Sequence, residues 1–264
     1  MMSTDGPLRV LVTGSTEGLG LATARALAER GHRVVLHARS AARAVDARAA
    51  LPAAEAVLVA DAMRLAEVRR LAEDATALGP IDVVVHNMGI GYREPRRIET
   101  EDGHAHVLQV NVLAPYLLTA LLPQARRLVW LSSMLHRQGK PDLDDVEWLT
   151  RPWDGRAAYS ESKLLDAALS AAVATRWPRV SSNAVEPGWV PTRMGGPGAP
   201  DDLAQAHLTQ VWLAEGREVG AEGSGGYLYH RAPTATHPAV QDQRYQERVL
   251  TLCAELTGVE LPAS

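Results

Sequence analysis

The sequence predicts a single doubly wound α/β domain, with a mainly parallel, seven-stranded sheet flanked by helices on both faces. Three observations predict it. Apolar, β-branched runs of strand length alternate with Ala/Leu/Arg-rich runs of helical length. A glycine-rich turn, TGSTEGLG, follows the first apolar run directly. No Pro/Gly/Ser-rich linker and no internal repeat divides the 264 residues, so one domain spans 1–264.

The expected strands are 8–13, 32–37, 54–60, 81–86, 127–132, 179–185 and 225–230. Most are continuously apolar and do not alternate, as strands covered on both faces must be. The expected helices are 18–30, 41–50, 64–78, 100–122, 157–176 and 201–215. Two stretches interrupt the alternation. Residues 134–156 carry Gly, Pro and acids and read as an inserted loop. Residues 186–200 are rich in Gly and Pro and lead into a candidate substrate lid at 189–215. In this architecture long loops after strands lie at the carboxyl edge of the sheet, where ligands bind.

Composition excludes several classes. Apolar residues make up 46% and charged residues 22%, ordinary values for a globular chain. A net charge of −4 with dispersed arginines argues against a nucleic-acid partner. No window reaches the about 18 uninterrupted apolar residues of a membrane span. The segment MMSTDGPLRV has no basic stretch followed by an apolar run, so no leader peptide is expected. The single cysteine, Cys253, reads as a buried small hydrophobe in a helix-like tail and suits a reducing, cytoplasmic setting. No metal site is expected.

The turn after the first strand places Gly14, Gly18 and Gly20 around Ser15, Thr16 and Leu19. Such glycines let the backbone turn tightly and approach a pyrophosphate, while the helix N-terminus offers free N–H groups. The second strand ends His37-Ala38-Arg39-Ser40, with no acid to bind a ribose 2′-hydroxyl. Arg39 either binds a 2′-phosphate, the favoured reading, which points to NADP(H), or is a surface arginine at a strand end. Ser40 either assists or caps the next helix. Asp61, with Ala62 after it, either bonds the adenine amino group or caps a helix. Asn87 and Gly89 end the fourth strand, where an amide can pin backbone and a glycine can let the ribose pass.

Tyr159 and Lys163 are spaced i, i+4 on one helical face. Of 27 basic residues only two are lysines, Lys140 and Lys163, and the rest are arginines. A free tyrosine is a poor base near neutrality, and a neighbouring ammonium lowers its pKa. The pair can then pass a proton to a carbonyl or take one from an alcohol. Ser132-Ser133 follow the fifth strand, where a hydroxyl can hold a carbonyl oxygen. Asn111 sits among apolar residues in a helix. It either kinks the helix to position a water or is a satisfied core amide.

Together these motifs resemble the short-chain dehydrogenase/reductase family in its retinol-dehydrogenase-like branch. The resemblance covers roughly 8–230 and rests on TGSTEGLG, Asp61-Ala62, HNMG (86–89), Asn111, LSS (131–133), YSESK (159–163) and EPGWVPT (186–192). It implies a Rossmann-type fold and a tetrad of Asn111, Ser133, Tyr159 and Lys163. Tyr159 is then the general acid/base, Lys163 its modulator and a ribose ligand, and Asn111 the holder of a relay water. Pro187, Gly188, Val190 and Thr192 are implied to line the nicotinamide. HNMG departs from the family's NNAG, and Glu186 stands where relatives often carry His or Asn.

The expected activity interconverts a ketone or aldehyde with an alcohol using NADP(H), on a substrate at least partly apolar. The alternatives are a C=C or imine reductase, or an NADP(H)-sensing binding protein without turnover. The resemblance also implies a homodimer or homotetramer formed through the helices at 100–122 and 157–176.

Overall fold

The computed structural model describes residues 6–123 and 125–263. The reading of residues 1–5 as lacking a leader lies outside the described residues. The first half runs β1 (Arg9–Val12), α1 (Gly18–Glu29), β2 (Arg33–Ala38), α2 (Ala41–Ala50), β3 (Ala56–Val59), α3 (Leu65–Ala77) and β4 (Val83–His86). There follow α4 (His106–Leu108), a π-helical turn (Gln109–Leu113), α5 (Ala114–Leu121), β5 (Arg127–Leu131) and a 3₁₀ turn (Met134–Gln138). The rest is α6 (Gly155–Arg176), β6 (Ser181–Glu186), α7 (Leu203–Ala206), α8 (Leu208–Glu215), β7 (Tyr227–Tyr229), β8 (Ala232–Pro233), a second 3₁₀ turn (Pro238–Gln241) and α9 (Gln243–Thr257).

All seven expected strands are present and parallel, in the order β3-β2-β1-β4-β5-β6-β7. The sheet has an eighth strand, β8, antiparallel to β7. His230 and Arg231 make this reversal with φ of 48° and 64°. Two successive positive φ values suit the tight hairpin, but neither residue type announces one. The chain crosses from β3 to β4 on the opposite side of β1, which makes the β1/β4 edge a topological switch point.

Alternation along each strand feeds two cores. Leu11, Val84 and Leu128 face α3, α5 and α6, while Val10, Val12 and Val129 face α1 and α8. Burying one Leu or Val in such a core contributes about 1.5–3 kcal/mol. The helix expected from residue 100 begins only at His106. Thr100 accepts and donates in a small turn closed by Gly103 at φ 87°, and Glu99 bridges Ala105 instead. The 201–215 stretch is also broken, at His207. Its second half, α8, buries Val211, Trp212, Leu213 and Ala214 in the second core.

The helices expected to join subunits have no free face. Residues 114–120 of α5 and 158–173 of α6 are buried within the single chain. The C-terminal α9 packs on α6, and Tyr116 of α5 donates its hydroxyl to Val259 O (2.9 Å). The Ala-rich face of α6 is spent on the chain's own sheet and tail. Among the described residues, no helix is long and apolar enough to cross a membrane. Cys253 is buried in α9, where loss of hydration pushes its thiol pKa up.

Candidate active site

The site is built at the carboxyl ends of β1, β4, β5 and β6. A cavity of about 740 Å³ opens there, bounded by the glycine-rich loop, Tyr159, Lys163 and residues 186–195.

The loop after β1 is a cradle that a side chain would fill. Gly14 has φ 61°, and a Cβ there would stand 2.8 Å from Met88 Cα. A Cβ on Gly20 would overlap the Asn87 amide. Glu17, at the N-cap of α1, makes no side-chain cap bond, so the first N–H groups of the helix stay available to an anion. The cradle is held from behind. Thr13 Oγ1 accepts from Asn87 N (2.9 Å) and Met88 N (3.1 Å). Asn87 Nδ2 donates to Thr13 O (2.8 Å) and Gly14 O (3.0 Å). Ser15 is wholly buried and donates to Val12 O (2.7 Å) while accepting from His37 N (2.9 Å), so its side chain braces the loop from inside. His37 adds a second brace. Gly14 N donates to Nδ1 (3.0 Å), so Nε2 carries the proton and donates to Ala60 O (2.9 Å). Burial lowers the His37 pKa and keeps it in this neutral form. This geometry fits a dinucleotide whose pyrophosphate lies over Gly14–Gly20.

The residues expected at the adenosine end, Arg39, Ser40, Asp61 and Ala62, do not line the cavity. Arg39 is exposed and has no hydrogen bond or ion pair among the described residues. Ser40 caps α2 by accepting from Arg43 N (3.4 Å). Arg43, which sequence reasoning passed over, reaches back to Thr16 Oγ1 (2.8 Å) and Glu17 (2.9 Å). Its place one turn into α2 from Ser40 was the available signal. Asp61 Oδ1 accepts from Met63 N (3.0 Å), which is a turn-forming role; Ala62 is buried and its carbonyl accepts from Gln109 (3.2 Å).

The chemical end gathers three of the four expected residues around the cavity. Ser133, Tyr159 and Lys163 line it, with Gly89, Pro187, Gly188, Val190 and Thr192. Asp154 accepts from Arg156 N (2.9 Å) and Ala157 N (3.0 Å) and so starts α6 one turn before Tyr159. Lys163 Nζ donates to Leu131 O (2.8 Å) and to Asp166 Oδ2 (2.7 Å). It stands 5.8 Å from the centre of the Tyr159 ring. Both Ser132 and Ser133 line the cavity; the Ser132 hydroxyl is spent on Lys163 O (2.9 Å), whereas Ser133 Oγ accepts from Leu135 N (3.3 Å) and keeps its proton to donate.

One expectation changes here. Tyr159 was expected to have a lowered pKa; in the protein without ligand it is raised. Burial is the larger effect, and the pull of Lys163 and Ser133 does not offset it. The acid Asp166 also counteracts Lys163 at the phenol. Asn111 sits at the centre of the π-helical turn, a distortion often found at functional sites. Its amide donates to Ile90 O (3.1 Å) and Ser162 Oγ (2.9 Å), and its oxygen accepts from Ile90 N (2.7 Å). Both donors are spent on protein, as in a satisfied core amide.

Tyr92 also lines the cavity, its ring edge-on to Tyr159 at 5.9 Å. No local pattern marks it, because a loop brings it there from β4. Of residues 134–156, Met134, Leu135 and Arg156 line the cavity. Trp148 and Trp153 pack away from it in a small core with Val107, Ala157 and Ala158, and Arg151 lies 3.6 Å over the Trp148 ring.

A Rossmann-type sheet, a glycine cradle at the switch point and a Ser/Tyr/Lys cluster beside it define a nicotinamide-dependent oxidoreductase. The short chain dehydrogenase family model matches residues 9–141. Short-chain dehydrogenase chyC of Penicillium rubens is 41% identical over 97% of this chain and 99% of its own. Human retinol dehydrogenase 13 is 30% identical over 96% of this chain and 86% of its own. A crystal structure of a protein from Mycobacterium Paratuberculosis superposes with a TM-score of 0.82, 26% identity and 99% coverage of both chains. The chain belongs to the short-chain dehydrogenase/reductase family, in its retinol-dehydrogenase-like branch.

Proposed function

We propose that this protein is an NADP(H)-dependent oxidoreductase that interconverts a ketone or aldehyde with an alcohol. The observation that carries the proposal is the placement of Ser133, Tyr159 and Lys163 on one cavity that the glycine cradle also bounds. When bound, the nicotinamide supplies or accepts the hydride. The chain's residues handle the oxygen and its proton. Ser133 donates a hydrogen bond to the carbonyl oxygen and holds it at Tyr159. The Tyr159 hydroxyl gives that oxygen its proton in reduction and removes it in oxidation. Lys163 stabilises the phenolate and offers its remaining donor to a ribose hydroxyl. Gly14, Gly18, Leu19 and Gly20 hold the pyrophosphate, and Asn87 keeps that loop in shape. Pro187, Gly188, Val190 and Thr192 hold the carboxamide side. Residues 189–195 form the working part of the lid, with Trp189 and Met194 exposed at the mouth.

NADP(H) is favoured over NAD(H) by Arg39, an unpaired guanidinium at the end of β2 with no acid beside it. Arg43 adds a second guanidinium at the same edge. A Tyr159 that lines an open cavity supports turnover over sensing.

The test is a fluorescence titration of NADPH and NADH into wild type and Arg39→Ala, followed by a carbonyl panel scored by NADPH oxidation, with Tyr159→Phe as control. NADPH is expected to bind at least about tenfold tighter than NADH, and Arg39→Ala to erase most of that difference. Tyr159→Phe is expected to lose about a hundredfold or more in kcat. Equal binding of the two nucleotides sinks the NADP(H) assignment. Full turnover by Tyr159→Phe sinks the acid/base role.

A further inference from the structure

Glu186 ends β6 and is 6% exposed. Ala184 belongs to the core on the α6 face and Val185 to the opposite core, so alternation turns Glu186 toward the face that carries Tyr159 and Lys163. It lines the cavity with Ser133, Tyr159 and Pro187. Its carboxylate makes no hydrogen bond or ion pair among the described residues. The charged and phenolic groups that feel it are Arg137, Asp201, Tyr227 and Tyr229. Arg137 is committed elsewhere, donating to Ala235 O (3.0 Å) and Thr234 Oγ1 (3.2 Å). Asp201 carries the same charge and accepts from Trp189 N. Tyr227 is buried, with Ser132 beside its hydroxyl. Burial raises the Glu186 pKa, and Arg137, which makes no ion pair with it, offsets this only in part.

A carboxylate that faces the cavity with no protein partner is left to solvent or to a bound molecule for its hydrogen bonds. An O–H or N–H donor on a molecule bound in the cavity can take the place of that solvent. We infer that Glu186 is a substrate-recognition group, and that the carbonyl compound taken by this site also carries an O–H or N–H donor that the carboxylate accepts. This rests on the carbonyl-reductase reading and narrows it. The substrate has a polar handle as well as the apolar contacts that Trp189 and Met194 provide. A site built to accept such a donor rejects the analogue that lacks it, because its acceptor is then left unpaired.

Two measurements test this. The first is NADPH oxidation with acetophenone and its α-hydroxy, α-amino and α-methoxy derivatives, for wild type, Glu186→Gln and Glu186→Leu. Wild type is expected to favour the hydroxy or amino compound over the methoxy compound by about tenfold or more in kcat/KM. Glu186→Gln, which keeps an acceptor, is expected to retain part of that ratio, and Glu186→Leu to bring it to about one. A wild-type ratio near one, or a ratio that survives in Glu186→Leu, overturns the proposal. The second measurement is thermal unfolding without ligand. Removing an unpaired buried acid is expected to leave Tm unchanged or raise it by a few degrees. A fall of more than about 5 °C in Glu186→Gln marks a structural strut and overturns the proposal. Absence of turnover with every ketone counts against the carbonyl-reductase reading, and the unfolding data still judge Glu186.

Discussion

Lys163 Nζ lies 2.7 Å from Asp166 Oδ2, with both side chains buried and three residues apart on α6. The lysine beside Tyr159 is therefore shared with an acid. The other carboxylate oxygen, Oδ1, is buried without a partner. Asp166 holds the ammonium in place and charged, and it offsets part of the positive field at the phenol.

Asp166→Asn is expected to lower the Tyr159 pKa, because the counteracting charge is gone. The pH–rate profile of carbonyl reduction then loses its alkaline limb at lower pH than in wild type. The variant is also expected to lose about 3–5 kcal/mol of stability, because a buried ammonium loses its ion pair. Rate profiles and urea unfolding read the two effects separately. An unmoved profile in a folded variant sinks the positioning role.

Lys163→Arg tests why a chain so rich in arginine keeps a lysine here. The ammonium directs donors at once to Leu131 O and Asp166, on a buried stem. A planar guanidinium is larger and cannot aim its donors independently. The expected result is a loss of about a hundredfold or more in kcat/KM together with weaker NADPH binding, both read by steady-state kinetics and titration. An arginine variant within a few-fold of wild type contradicts the argument.

Gly14→Ala puts a Cβ 2.8 Å from Met88 Cα at a residue with φ 61°. The left-handed conformation alone costs about 1–2 kcal/mol, and backbone at Met88 must shift as well. A lower Tm and at least about tenfold weaker NADPH binding are expected. Wild-type values for both exclude the close approach of the two loops.

Acid weakens this fold through its buried histidines. Burial holds His86 at about 3 and His136 at about 4, below the ordinary range near 6.5. Each stays neutral in the fold while the unfolded chain takes up a proton. Stability is therefore full above about pH 6.5 and falls as pH drops toward the folded values, by about 1.4 kcal/mol per pH unit for each group. At pH 5 each contributes a loss of about 2 kcal/mol. Urea midpoints of wild type and His86→Gln at pH 7 and pH 5 check this; the variant is expected to show the smaller drop. His37 shifts in the same direction, and its protonation would release Gly14 N, so NADPH affinity is expected to fall in acid as well.

Arg43→Ala removes the contacts to Thr16 and Glu17 at the edge where a 2′-phosphate would sit. NADPH binding is expected to weaken more than NADH binding. Equal weakening assigns Arg43 to bracing the loop alone.

Much of the fold was legible because its signals are local. Seven apolar runs became the seven parallel strands, and the glycine turn opened α1. The spacing of Tyr159 and Lys163 put them on one face, since helical period alone decides that. The eighth strand was missed because His230 and Arg231 adopt positive φ without the usual residue types. The cover that α9 gives α6 was not legible, because it is a contact between segments distant in sequence.

The sequence by itself determined the class of chain, the cradle and the identity of the Ser133, Tyr159 and Lys163 cluster. Tertiary structure decided the electrostatics. Tyr159 is raised and not lowered, Lys163 is shared with Asp166, and Glu186 faces the cavity without a partner. Each of these depends on desolvation and on charges brought together by packing. Such quantities belong to the folded surroundings of a residue and leave no trace in its local pattern.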